Sequence, residues 1–185
     1  SDDAEHVGHL ALAAPVLACH RALQVGCSRC RMGGLMGWRL HRSFAHFGTK
    51  GRNQRWSWSA ISEDRKAVAI TLWQDGLTQE GPFVRFGTGL DRADADWVKR
   101  AGNRERQEYL EHAVAELDGI FHPVVTVPRD RDAEPRSIKL AWPVDKLMRI
   151  QPGTLNHFGG FVALSVEPAS VEEFSRETWP PLIVT

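Results

Sequence analysis

Acidic residues are missing from a long stretch near the start of this sequence: no Asp or Glu lies between Glu5 and Glu63. The same stretch holds eight basic residues: Arg21, Arg29, Arg31, Arg39, Arg42, Lys50, Arg52 and Arg55. Because the whole chain is neutral, with 23 Lys and Arg against 23 Asp and Glu, the remainder carries the opposite charge. An acid-free basic segment attracts phosphates and other anions. Alternatively, this segment folds against the acidic remainder and neutralises it.

Cysteine is missing after residue 30, since all three cysteines (Cys19, Cys27 and Cys30) precede that point. This placement excludes a disulfide framework spread through the fold and is typical of a reducing compartment. Cys27 and Cys30 have the spacing of a zinc-binding pair, but the second pair that a zinc site needs is missing. The sequence therefore predicts a cytoplasmic protein without a cofactor, with incidental thiols favoured over zinc.

Long apolar runs are missing as well. The longest, Leu10 to Cys19, is about half the roughly 20 residues that cross a bilayer, and it contains Pro15. Its end faintly resembles a lipoprotein cleavage site, but the basic segment that should precede such a site is replaced by acids. We therefore predict no membrane span, and we favour a cytoplasmic location over export.

The composition, 42% hydrophobic and 25% charged, is that of an ordinary globular protein, and the length fits one domain. Weak periodicity before the Gly33-Gly34 pair and the prolines near the end suggest appendages on both sides. We predict an N-terminal extension over residues 1–35, a single domain over 36–167 and a C-terminal tail over 168–185.

Period-two alternation predicts a strand from Arg55 to Ile61, with Trp56, Trp58 and Ala60 on one face and serines on the other. A polar turn and a β-branched run over residues 67–73 complete a predicted antiparallel hairpin. Further strands are predicted over residues 83–86, 121–127, 137–141 and 160–166. Pro123 favours an edge or initial position for the second of these strands, over residues 121–127.

Two helices are predicted. The first is short, covers residues 38–47 and ends at Gly48. The second runs from Asn103, as its cap, to Leu117, with Arg104 and Glu108 as a surface pair. Helices and strands do not alternate regularly, so the sequence predicts an α+β fold: a mainly antiparallel curved sheet or half-open barrel with one long helix packed on it.

Several short words in the sequence resemble a family of uncharacterised bacterial domains. They are Phe47-Gly48-Thr49-Lys50, Arg52-Asn53, Trp56-Ser57-Trp58-Ser59-Ala60, Thr71-Leu72-Trp73-Gln74-Asp75 and Gly102-Asn103-Arg104-Glu105-Arg106. The resemblance covers about residues 41–150 and implies that they form one domain. It brings no activity, cofactor or catalytic residue with it.

Aromatic and basic side chains alternate closely after residue 38. Aromatic rings stack on bases and guanidinium groups hold phosphates, so this mixture is typical of single-stranded or extruded nucleic acid. The sequence predicts a non-enzymatic module that binds nucleic acid through a basic and aromatic surface. The predicted ligand-binding residues are Arg39, Arg42, Lys50, Arg52, Asn53, Arg55, Trp56 and Trp58.

Three alternatives remain open at this point. At least one of the two tryptophans would fill the core if both lay on one strand face. A metal-dependent phosphodiester hydrolase would need clustered carboxylates, for which the candidates are Asp91, Asp94, Asp96, Glu108, Glu111 and His112. A protein interaction module would dock its basic segment on an acidic partner.

Overall fold

The computed structural model describes residues 40–53, 56–89, 96–133 and 136–175. All of them belong to one compact unit, Leu35–Thr185. In chain order the elements are α1 (Leu40–His46), β1 (Thr49–Lys50), β2 (Ser59–Ser62), β3 (Val68–Trp73), a 3₁₀ turn (Gln74–Gly76), β4 (Leu77–Glu80), β5 (Phe83–Thr88), a second 3₁₀ turn (Asp96–Lys99), α2 (Ala101–Glu116), β6 (Ile120–Pro128), β7 (Ile138–Pro143), β8 (Met148–Ile150), β9 (Phe161–Ser165) and α3 (Val171–Phe174). The predicted extension over 1–35 lies outside the described residues, and the domain boundaries stay a prediction.

Within the described residues, nine strands form one sheet in the order β1-β2-β3-β6-β8-β9-β5-β4, and β7 also pairs with β6. The β3–β6 pair is parallel, and the other pairs are antiparallel. The sheet is open and carries three α-helices in this part of the chain. The predicted α+β class, with a mainly antiparallel sheet and one long helix packed on it, is therefore confirmed.

Strand β6 changes partners along its length. On one side it pairs with β3 from His122 to Thr126. On its other side it pairs first with β8, at Ile120 and Phe121, and then with β7 from Val124 onward. Pro123, which has no N–H to donate, lies at the change of partner. The expectation of an edge strand is therefore wrong, whereas the early position of Pro123 in its strand is as predicted.

The two longer helices pack on opposite faces of the sheet around β3. Neighbouring residues of a strand point to opposite faces, and Ile70 packs in the core with Leu110 of α2. Ala69 instead packs with Phe44 of α1. The sheet therefore separates the surface of α1 from the surface of α2.

Residues 168–175, which the sequence places in a C-terminal tail, pack against the sheet. Phe174 is fully buried in the larger core cluster, and its carbonyl oxygen accepts a hydrogen bond from the indole N–H of Trp142 at 3.1 Å. Ser170 and Glu173 form a reciprocal capping box at the start of α3. This turn of helix thus fixes Phe174 in the core.

Most of the locally coded elements are as predicted, including α1 with Gly48 at positive φ and the β2–β3 hairpin. The short strands β4 and β8 were not predicted. The alternation over residues 55–61 is wrong, because Ser57 and Ser59 are buried while Trp56 is 58% exposed. No helix in the described ranges is long and apolar enough to cross a bilayer.

Candidate functional site

The loop that follows β1 packs its backbone directly on the first turn of α2. A Cβ atom at Gly102 would lie 2.1 Å from the carbonyl oxygen of Trp56 and 3.3 Å from the Trp58 ring. Only a glycine permits this approach, because a real Cβ needs about 3 Å or more from its neighbours. The contact turns the Trp56 side chain outward, beside the start of the helix.

Glu105 holds this loop from beneath. Its carboxylate is buried and accepts hydrogen bonds from the backbone N–H of Arg52 at 2.8 Å and from the hydroxyl of Ser57 at 2.6 Å. The Ser57 oxygen in turn accepts the backbone N–H of Asn53 at 2.9 Å. A buried carboxylate needs such donors, and here they fix the loop on both sides of Trp56.

A cleft of about 600 Å³ opens between this loop and α2. Its lining consists of Arg52, Asn53 and Trp56 from the loop, together with Arg100, Ala101, Gly102, Arg104, Glu105 and Glu108 from the start of α2. The lining thus contains three arginines and two glutamates. One of the glutamates, Glu105, already accepts a hydrogen bond from the loop backbone. The cleft has the volume of a site for a small ligand.

Two of the three arginines of the cleft, Arg52 and Arg104, are held in place by the protein. An Arg52 guanidinium nitrogen donates to Glu108 at 2.5 Å, and the group lies 5.5 Å from the centre of the Tyr109 ring. The hydrogen bond to Glu108 is the main reason that the pKa of Arg52 is raised, so this side chain stays cationic. Arg104 donates to the carbonyl of Lys99 at 2.7 Å, which keeps its side chain over the first turn of α2.

The first turn of α2 favours anions. It contains no acidic residue, and Arg100 at the N-cap position makes no capping hydrogen bond with its side chain. The N–H groups of Ala101 and Gly102 precede the first helical hydrogen bonds, which begin with Asn103 and Arg104. Of these two residues Ala101 is exposed, whereas Gly102 is buried beneath the Trp56 backbone. An exposed N–H group at the positive end of a helix dipole is a common way to hold a phosphate.

Behind the cleft, the half-buried rings of Trp58 and Trp97 lie beside the buried Arg106 side chain. The Arg106 guanidinium lies 5.9 Å from the centre of the Trp58 ring and 5.5 Å from that of Trp97. It also donates to the carbonyl of Gly159 at 2.9 Å. Burial lowers the pKa of Arg106 to about 10, which leaves it cationic at neutral pH. Trp58 therefore does not line the cleft, and its half-buried ring joins neither of the two core clusters.

Two details predicted for the long helix are wrong. Asn103 does not cap α2; its amide is buried within the first turn and donates to the carbonyls of Val98 and Phe158. Arg104 does not pair with Glu108, because Glu108 is engaged by Arg52. Both errors arise because the loop before α2 and the chain around Phe158 supply partners that are distant in sequence.

The structure brings together Arg52, Asn53 and Trp56 from the predicted site. Arg42 is exposed on α1, across the sheet from α2, and does not line the cleft. Lys50 is exposed on β1 and is also outside the lining. Arg39 and Arg55 lie outside the described residues. The predicted surface is thus divided, and only its loop residues converge.

The residues considered for a metal-dependent hydrolase do not converge where they are described. Glu111 accepts a hydrogen bond from Gln107, and the His112 ring bonds with the carbonyl of Arg65 in the hairpin turn. Asp96 begins a 3₁₀ turn, whereas Asp91, Asp94 and the three cysteines fall outside the described residues. Across residues 40–53, 56–89, 96–133 and 136–175, no three His, Cys, Asp or Glu side chains form a group that could hold a metal ion.

Sequence reasoning missed the contribution of α2 to the cleft, namely Arg100, Gly102 and Arg104. A signal was present: a helix start that carries arginines, has no acid in its first turn and includes a glycine is unusual. That signal points to an anion and to close backbone contact. It does not reveal which loop makes the contact.

Comparison with known proteins gave no matching family model, curated protein or solved structure.

Replacing Gly102 with Ala tests the contact that builds the cleft. Helix propensity alone would make this change stabilising by about 0.5 to 1 kcal/mol. Because the new methyl group would meet the Trp56 carbonyl, we expect destabilisation of about 1 to 3 kcal/mol instead. Urea denaturation followed by circular dichroism measures the difference, and a more stable variant would contradict the contact.

Proposed function

We propose that this chain is a binding module for nucleic acid and that the cleft beside Trp56 is its binding site. The observation that carries the proposal is the placement of a tryptophan that is 58% exposed beside a cavity lined by three arginines and the start of α2. An aromatic ring that reaches solvent beside cationic side chains has the chemistry to stack on a base while its neighbours hold a phosphate.

The chemistry of the cleft suits the two parts of a nucleotide. The Trp56 ring offers a flat face on which a base can stack, and stacking of this kind contributes about 1 to 3 kcal/mol per base. Arg100, Arg104 and the N–H group of Ala101 offer charge and hydrogen bonds to a phosphate. Arg52 and Asn53 complete the loop side of the cleft around the ring.

A salt titration tests this function. Binding of a fluorescently labelled oligonucleotide is measured by anisotropy at several salt concentrations for the wild type and for a variant with both Arg100→Ala and Arg104→Ala. If each arginine contacts one phosphate, the variant binds more weakly and the slope of log affinity against log salt falls by about 2. The two side chains lie at the surface of the helix start, so circular dichroism is expected to be unchanged.

Arg42→Ala is the matched control for the titration. It removes one positive charge, half of what the α2 variant removes, from an exposed helical position on the face of the sheet opposite α2. We expect its affinity and salt slope to equal those of the wild type. A loss per charge in the control as large as that in the α2 variant would indicate diffuse attraction to a basic protein and contradict a site in the cleft.

A further inference from the structure

We infer that the cleft takes one unpaired nucleotide, with its base on Trp56 and its phosphate at the first turn of α2. This inference rests on the proposed function and narrows its ligand to a nucleoside phosphate whose base is not in a duplex. The shape of the site carries the first step. Proteins read duplex DNA by inserting a protruding helix or ribbon into a groove, whereas here the aromatic ring lines an open cleft of about 600 Å³.

A base that is paired and stacked within a duplex cannot lay its face on the Trp56 ring. Its two faces are covered by the neighbouring base pairs, so stacking on a protein side chain requires a single strand, a loop or an extruded base. The Trp56 ring is available for this contact because its own backbone, not its side chain, packs on Gly102. The cleft is therefore suited to a base that is unpaired and not stacked between neighbouring bases.

The number of rings limits the ligand to one base. Trp56 is the one aromatic residue in the lining of the cleft as the structure describes it. The ring of Trp58, two residues along the chain, lies against the Arg106 guanidinium and next to Gly102. A second base would find no second platform among these residues.

The phosphate position follows from the opposite wall. Glu105 is engaged by the Arg52 N–H and Ser57, and Glu108 by the Arg52 side chain. Both carboxylates are thus satisfied within the protein, while Arg100 and Arg104 flank Ala101, the exposed first residue of α2, whose N–H precedes the first helical hydrogen bonds. This wall presents donors and positive charge to an anion across from the ring.

The test compares a six-nucleotide single strand, a blunt duplex containing that strand, and adenosine monophosphate as a competitor. We expect the wild type to bind the single strand at least about tenfold more tightly than the duplex, which corresponds to loss of one stacked base. Trp56→Ala is expected to remove this preference, and Trp56→Phe, which keeps a ring, to restore most of it. Arg104→Ala is expected to weaken binding of both forms by a similar factor.

The competitor distinguishes the source of the nucleotide. If adenosine monophosphate displaces the single strand, a free nucleotide fills the cleft. If the strand binds and adenosine monophosphate does not displace it, neighbouring phosphates are also needed. Both outcomes support one unpaired nucleotide in the site. Equal binding of strand and duplex, unchanged by Trp56→Ala but weakened by Arg104→Ala, overturns the inference and leaves binding of nucleic acid at the arginines of the cleft standing. Absence of binding to every nucleic acid overturns the proposed function, and the inference falls with it.

Discussion

Phe174→Ala is expected to lower the free energy of unfolding by about 3 to 5 kcal/mol, the usual loss when a fully buried phenylalanine is truncated in a core. Phe174 has no exposed surface and packs within the larger core cluster, which includes Trp142. Its backbone carbonyl is held by the Trp142 indole and its helix by a capping box. The neighbours cannot readily close over the space that the ring would leave.

Urea denaturation measures this loss as a fall in the midpoint without a change in slope. Val114→Ala is the matched control, because it also removes apolar atoms but from a side chain that is 48% exposed on α2. We expect the control to change stability by about 0.5 kcal/mol or less. Similar effects of the two variants would mean that residues 168–175 are not part of the core.

Glu105→Ala is expected to cost about 3 kcal/mol of stability and to abolish binding in the cleft. The carboxylate accepts hydrogen bonds from Arg52 N–H and from Ser57, and each bond to a buried charge contributes about 1.5 to 3 kcal/mol. Its removal leaves buried donors without acceptors and releases the loop that carries Trp56. Glu108→Ala, one turn along the same helix, removes only the exposed pair with the Arg52 side chain and is expected to cost at most about 1 kcal/mol.

The single tyrosine of the chain gives a second readout for Glu105. The pKa of Tyr109 is raised above its usual value by burial and, next in order, by the negative charge of Glu105. Removing that charge lowers the pKa of Tyr109, although burial keeps it raised. An ultraviolet titration of the folded protein follows the phenol directly, and an unchanged titration in Glu105→Ala would contradict the close contact between the two residues.

Elements coded by neighbouring residues could be predicted from the sequence. The β2–β3 hairpin follows from a β-branched run beside a polar turn, and α2 follows from apolar residues at helical spacing. The strands β4 and β8 could not be predicted in this way. They contain four and three residues and exist because β5, β6 and β9 offer edges to pair with.

For the same reason, only the loop residues of the candidate site could be predicted from the sequence. Arg52, Asn53 and Trp56 follow one another closely, so their chemistry can be recognised in the sequence. Which of the two tryptophans faces out could not be recognised, since period-two spacing assumes that both belong to a strand. The strand begins only at Ser59, and the outward turn of Trp56 is set by Gly102 and Glu105, which lie in a helix nearly fifty residues further along.

The parallel pairing of β3 with β6 has a consequence for the order in which the chain folds. The hairpin of β2 with β3 joins residues that are close in sequence, whereas β3 meets β6 through Ala69 and His122, on either side of β4, β5 and α2. Closing so long a loop costs conformational entropy before favourable contacts form, and non-local pairing of this kind slows folding. We therefore expect the rate-limiting step to be the docking of β6 on a preformed β2–β3 hairpin. The cleft would be completed only after that event, because α2 lies within the same loop.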